Sequence, residues 1–344
     1  MSGLLHRLRR LVPAAAGLAV AGLAGLWPAA AAAQMQIGGQ IRLSTNRVQT
    51  GSGSAVYELR DNASRLSFRG SEDLGGGLRA LFGLEMGIDA DAGTTTSPPY
   101  RHSYVALQGA PGTLALGRLD SANPTGSPLY SQVTAIVTFA GNDAGVTAIG
   151  TSMLNARNRT SNSIGYRSPG FGGAEVMARG TLRGAGTATE AEHAARSLDL
   201  GVLYRSPALV AAVGFAKDDR AGGLRANEFD DKWQAGLRLK MGQFSPYALL
   251  GADRFNSTAS TRRKVAYALL GTDVRLDLHT LVLNLLQRDV QAAPAGERRR
   301  VQAAWLYALS KRTELQAFAD NDGIDSSRPN VRVRAFGTGI KHLF

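Results

Sequence analysis

The chain has 344 residues, 44% hydrophobic and 19% charged, a balance that excludes a disordered polyelectrolyte. It holds 41 glycines and no cysteine, which excludes a disulfide scaffold and thiolate metal sites. A formal net charge of +12 admits nucleic acid, an anionic membrane surface or anionic solutes as partners.

Residues 1–33 begin with Arg7, Arg9 and Arg10, continue as an apolar stretch and end in small residues, Ala31, Ala32 and Ala33. That order reads as a secretory signal peptide with cleavage expected before Gln34. Cleavage leaves 311 residues and removes three arginines and no acid, so the net charge falls from +12 to +9. Export argues against nucleic acid, and so does the scatter of the basic residues, which cluster only at Arg298 to Arg300.

Beyond residue 34 no apolar run approaches the length of about 18 residues that a membrane helix requires. Period-two alternation dominates instead, which is the signature of strands. In chain order the expected strands are residues 35–46, 64–72, 78–88, 100–109, 113–120, 160–169, 174–183 and 195–206. The series continues with 209–218, 232–242, 244–255, 264–276, 279–290, 299–310, 314–321 and 332–344. In the first, Ile37, Gly39, Ile41 and Leu43 share one face, and Gln36, Gln40, Arg42 and Ser44 the other. In the second and third, Leu66, Phe68, Phe82 and Leu84 alternate with Arg65, Arg69, Arg79 and Glu85 across a tight "DLGGG" turn.

A polar loop is expected over residues 49–61, and residues 121–160 form the longest segment without clear alternation. A loop of that length is usually functional. Short turns alternate with long loops, so the expected fold is all-β: a transmembrane antiparallel up-and-down β-barrel of about 16 strands. Because hydrocarbon tolerates no open sheet edge, the last strand must pair with the first.

No catalytic motif occurs, and His102, His193, His279 and His342 never stand at metal-ligand spacing, so neither an enzyme nor a cofactor or metal is expected. Trp233, Trp305, Tyr204, Tyr247, Tyr267 and Tyr307 are expected in the aromatic girdles of a barrel.

The stretches "SRLSFRGSEDLGGGLRALFGLE", "SYVALQGAPGTLALGR" and "GTGIKHLF" resemble the Gram-negative general porins, particularly the β-proteobacterial type, over essentially the whole mature chain. The resemblance implies a 16-stranded outer-membrane barrel over residues 34–344 that assembles as a homotrimer among lipid and lipopolysaccharide. Its third loop, residues 121–160, would fold inward and narrow the channel. Phe344 would be the C-terminal signal read by the barrel-assembly machinery. The first five or so strands would form the subunit contact, for which Gly39, Gly70, Ala80, Ala106 and Ala115 are expected to face outward. Arg118 has the outward parity of Leu114 and Leu116 and is placed at that contact.

The family's constriction sets an arginine ladder on the wall against carboxylates on the third loop. Arg42, Arg65, Arg101 and Arg159 match the ladder, and parity is read as placing Arg42, Arg65 and Arg101 on the inner face. Asp143 and Asp120 match the loop carboxylates, while Arg69, Arg79 and Glu85 form a secondary pore wall, the two arginines nearer the periplasmic mouth. One departure bears on function. Where relatives carry an acid-rich Pro-Glu-Phe-Gly-Gly-type stretch, this chain has "TFAGNDAG", with Asp143 its one carboxylate. The constriction should therefore be net positive, and such rings favour anions. The expected function is passive diffusion of small hydrophilic solutes and ions, anionic or neutral, with anion preference. The alternatives are a substrate-specific anion channel or, further off, a barrel enzyme or adhesin.

Overall fold

The computed structural model describes residues 34–119, 128–139, 159–182, 196–219, 229–255, 263–290, 296–326 and 331–344. Seventeen strand segments and one helix make up these residues. They run β1 (Gln34–Thr50), β2 (Val56–Asp61), β3 (Ser64–Gly75), β4 (Leu78–Asp89), β5 (Thr94–Gly109), β6 (Gly112–Leu119) and α1 (Pro128–Ile136). Next come β7 (Thr160–Arg167), β8 (Ala174–Thr181), β9 (Arg196–Arg205), β10 (Leu209–Asp219), β11 (Phe229–Leu239) and β12 (Phe244–Phe255). The series ends with β13 (Arg263–Leu276), β14 (His279–Val290), β15 (Gly296–Ala308), β16 (Thr313–Ser326) and β17 (Val331–Leu343).

Every strand pairs antiparallel with its neighbours, and β1 pairs with β17 from Gln40↔Leu343 to Thr50↔Val333, so the sheet closes on itself. Both β2 and β3 pair with β1 and share one place round the wall, which makes the barrel sixteen-stranded. The bend between them is built by Asp61, whose Oδ2 accepts the Ala63 and Ser64 amides at 2.8 and 3.1 Å. Ala63 turns there with φ of 66°. The polar loop expected over residues 49–61 is thus corrected, since β1 runs on to Thr50 and Val56–Asp61 is strand. Tyr57 and Leu59 face outward opposite Arg47 and Thr45, so the two-residue period continues through a stretch whose polar composition hides it.

Strand β14 shows the physical rule of the wall most plainly. Leu281, Leu283 and Leu285 are exposed on the outer face, while Val282, Asn284 and Leu286 between them are buried. A barrel in lipid needs apolar atoms on every second residue outward and leaves the inward positions to the lumen. Inside, one arc departs from a polar lining: Met177, Leu203, Val210, Leu249, Leu269 and Leu286 form a cluster with Val133, Ile136 and Val137. These inward apolar residues lie beneath α1, which packs on the inner face of β8 to β12. The long segment without strand alternation therefore contains a helix. Its buried Leu129, Gln132, Val133 and Ile136 recur at helical spacing after Pro128, a residue suited to a first turn.

At the seam, the Phe344 carbonyl accepts the Gly39 amide at 3.1 Å and its own amide donates to Gly39 O at 3.2 Å. A Cβ at Gly39 would lie 2.2 Å from the Arg65 carbonyl oxygen and 2.6 Å from the Phe344 ring, so a glycine is required at this contact. Of the residues expected to face outward, Ala106 and Ala115 instead point inward and pack with Leu119; in each strand the flanking leucines and Val105 take the outer face.

Candidate functional site: a basic arc on the channel wall

Glu85, on the inner face of β4, is buried and serves as the hub of a cation cluster. Arg101 Nε lies 2.8 Å from Oε1, Arg65 Nε 3.4 Å and Arg69 Nη2 3.6 Å from Oε2, and Ser67 Oγ donates to Oε2 at 3.0 Å. Three guanidinium groups therefore share one carboxylate. His102, fully buried, brings Nδ1 to 3.8 Å from Glu85 Oε1.

Arg65, Ser67 and Arg69 reach the cluster because they alternate with outward Leu66 and Phe68 along β3. Arg101 arrives by a different route. It shares the parity of Val105 and Leu107, which are exposed on the outer face, so alternation alone would direct it outward. The register shifts between Glu85↔His102 and Met86↔Tyr100, leaving Arg101 as the extra residue of a β-bulge. A bulge re-aims a side chain, and here it places Arg101 and His102 together on the lumen face. The parity argument for Arg101 is thus corrected although the residue does face inward.

A second group of cations lies across the seam. Arg42 on β1 donates through Nε and Nη2 to Gln316 Oε1 at 3.1 and 3.0 Å. Gln316 Nε2 donates to Glu314 at 2.7 Å, and Lys341 Nζ lies 2.9 Å from the same Glu314 oxygen. The Arg42 guanidinium carbon stands 5.6 Å from the centroid of the Phe139 ring, a cation–π contact. From β16 round to β5, these two groups set five cations (Arg42, Lys341, Arg65, Arg69 and Arg101) against two carboxylates, Glu314 and Glu85, among the described residues.

Elsewhere on the wall cations and carboxylates are closer to balance. Among the described residues Arg179–Asp199, Lys232–Asp253, Arg300–Asp320 and Arg298–Asp322 each match one cation with one aspartate, while Asp273 faces both Arg238 and Arg275, and Glu175 both Arg167 and Arg205. Most join adjacent strands, where side chains on one face come within reach of each other.

The loop that carries α1 is tied to this arc. Four side chains from β11 to β14 converge on Thr138. Arg238 Nη1 donates to its Oγ1 at 2.8 Å and to Ile136 O at 2.9 Å, and Thr138 Oγ1 donates to Asp273 Oδ1 at 3.0 Å. Asn284 Nδ2 and Tyr247 OH donate to Thr138 O at 3.2 and 3.5 Å. Phe139 then enters an apolar pocket of Val282, Ala304 and Phe318. The segment so runs along the inner wall from β8 to β16.

Tyr247 and Tyr267 are corrected from girdle residues to lumen residues. Both are buried, Tyr247 beneath Arg238 and Tyr267 beneath Lys232, 4.7 Å from its Nζ. Outward Trp305 stacks on His279 and Tyr307 at the short-turn end, with Trp305 Nε1 donating to His279 Nδ1 at 3.0 Å.

Arg69 belongs to the Glu85 cluster, while Arg79 lies at the short-turn rim and donates to Ser71 Oγ at 2.9 Å. Arg159 is half-buried directly before β7, two strands on from β5. Arg118 lies on the outer face, donating to Tyr100 O at 3.1 Å and Ser161 Oγ at 2.9 Å. Asp120 and Asp143 fall outside the described residues. Sequence reasoning missed Glu314, Gln316 and Lys341; their inward parity was visible, but their meeting with Arg42 follows only from closure of β1 on β17.

A closed sixteen-stranded wall, an inward-folded loop and charged side chains lining the lumen agree with the comparisons. The chain is 30% identical over 259 residues to outer membrane porin protein 32 of Delftia acidovorans, covering 74% of this chain and 72% of that protein. Its fold matches the anion-selective porin from Comamonas acidovorans with a TM-score of 0.70 at 22% identity, over 91% of this chain and 100% of that one. The trimer form of OmpT from Vibrio cholerae matches with a TM-score of 0.68 at 10% identity, over 91% of this chain and 99% of that one. The family model for Gram-negative porins matches residues 14–326, and with that fold and that lumen the chain belongs to the Gram-negative porin family of outer-membrane channels.

Proposed function

We propose that this porin passes small hydrophilic solutes with a preference for anions. The observation that carries the reading is the sharing of Glu85 among Arg65, Arg69 and Arg101, opposite a wall whose cations and carboxylates are closer to balance. In a narrow, low-dielectric passage, an arc with more cations than carboxylates raises the local concentration of anions and lowers that of cations. The anion-selective relative supports the same sign. Arg42 and Arg159 extend the basic wall, and Asp120 and Asp143 supply the carboxylates of the loop. Reversal potentials of the reconstituted channel in a potassium chloride gradient test this. The reading expects the sign of chloride permeation, and the sign of potassium permeation overturns it.

The working unit is a homotrimer. Arginine on the lipid face costs about 2–4 kcal/mol at the bilayer midplane, and a neighbouring subunit covering Arg118 removes that cost. Arg118→Leu should change the trimer band in semi-native electrophoresis, whereas an unchanged band places Arg118 in lipid. Residues 1–33 act as a signal peptide cleaved before Gln34, Phe344 is the mark read by the assembly machinery, and lipopolysaccharide surrounds the outer rim.

A further inference from the structure

Three inward glycines on consecutive strands lie directly under α1. A Cβ at Gly201 on β9 would stand 2.5 Å from Pro128 Cβ. At Gly214 on β10 it would stand 2.8 Å from Gln132 Nε2, and at Gly236 on β11 2.6 Å from Leu249 Cδ1 and 3.2 Å from Ile136 Cγ1. Pro128, Gln132 and Ile136 follow each other at i, i+4 and i+8, so they form one stripe of the helix. Gly201 pairs directly with Gly214, and Gly214 with Gln234, two residues before Gly236, so the glycines form an oblique row across the wall.

The row is bounded by larger inward side chains that grip the helix from its sides. Gln234 Nε2 donates to Leu129 O at 3.0 Å, Arg238 Nη1 to Ile136 O at 2.9 Å, and Gln132 Nε2 reaches down to Val213 O at 2.6 Å. Leu203 and Val210 pack beside it in the same apolar cluster as Val133 and Ile136. The helix is thus countersunk in a trough whose floor is backbone.

We propose that Gly201, Gly214 and Gly236 set the width of the channel, by fixing how far α1 projects from the wall into the lumen. This rests on the channel reading but not on the sign of its selectivity. Side chains on the floor must lift the helix, because close-packed atoms cannot interpenetrate and the strands beneath are held by ladder bonds on both sides. Gly201 is the most demanding of the three. The atom above it belongs to a proline ring, which has no rotamer by which to move aside.

The test is single-channel conductance of Gly201→Ala and Gly201→Val, with exclusion of neutral sugars of graded size as a second readout. Conductance and size limit should fall, further for valine than for alanine, while the sign of the reversal potential stays as in the parent. Gly201→Ala combined with Pro128→Gly, which removes the opposing Cβ, should recover the lost conductance. Gly180→Ala, where a Cβ meets nothing within 4 Å, should change nothing. Heat-modifiable mobility shows that each barrel is folded; should the valine variant fail there, the alanine variant and its rescue decide. Conductance equal to or above the parent in a folded Gly201→Ala or Gly201→Val barrel overturns the proposal. A cation-selective parent whose Gly201 variants still narrow would overturn the anion reading alone.

Discussion

Arg101 Nε and Glu85 Oε1 meet at 2.8 Å because a β-bulge turns Arg101 off the outer face of β5. The contact brings a third guanidinium to a carboxylate already faced by Arg65 and Arg69. Among the described residues three guanidinium groups meet one carboxylate here, and removal of one should be read directly in ion selectivity.

Arg101→Ser is expected to lower the anion-to-cation permeability ratio. One unit charge about 4 Å away is worth roughly 1 kcal/mol even in water, which converts to about a fivefold change in the ratio. The loss should shrink as salt rises, since the screening length is about 10 Å at 0.1 M. Reversal potentials at two salt concentrations check both statements.

On the opposite arc the same kind of substitution should do little. Arg300 and Asp320 form a buried, bidentate pair and cancel each other. The double substitution Arg300→Gln with Asp320→Asn is expected to leave the reversal potential within error of the parent. Asp320→Asn alone leaves Arg300 uncompensated and should raise anion preference.

The Thr138 clamp predicts a change in current noise. Arg238→Met removes the donor to Thr138 Oγ1 and Ile136 O and leaves Asp273 with Arg275, whose Nε lies 3.2 Å away. Removing one member of a buried pair costs about 3–5 kcal/mol, and the surviving Arg275 contact argues for the lower end. Open-channel noise should rise and thermal stability fall, measured by single-channel recording and by the temperature of heat-modified mobility.

Closure of the barrel depends on the fit between Gly39 and Phe344. Gly39→Val should destabilise the seam by about 1–3 kcal/mol through overpacking, with slower refolding into detergent or vesicles. Adding Phe344→Ala to Gly39→Val should not restore refolding, since a Cβ at Gly39 also lies 2.2 Å from the Arg65 carbonyl oxygen, and electrophoretic mobility during refolding checks this.

Much of the wall was legible because strand parity is local. Leu281, Leu283 and Leu285 could be assigned outward from β14 alone, and Arg65 and Arg69 inward from β3 alone. Parity failed where the backbone broke its own period. At Arg101 a bulge inverted the assignment, and over residues 56–61 a polar composition concealed a strand. The outward placing of Ala106 and Ala115 went against parity, since both sit between outward-facing apolar residues and so face the lumen.

The third loop marks a different boundary. Its helix could be suspected from Leu129, Val133 and Ile136 after Pro128, but nothing local says which strands would receive it. The inward leucines of β9 to β14 and the glycines of β9 to β11 acquire meaning only once α1 lies on them.

By itself, then, the sequence determined a closed barrel in lipid, its approximate strand count and an excess of inward arginine, because alternation and backbone satisfaction in hydrocarbon act on each strand separately. Only the tertiary structure decided which cations share a carboxylate. Arg65, Arg69 and Arg101 share Glu85 while Arg300 keeps Asp320 to itself. Charge pairing depends on register between strands, on the bulge that shifts it and on the closure that brings β17 to β1, and each of these joins residues far apart in the chain.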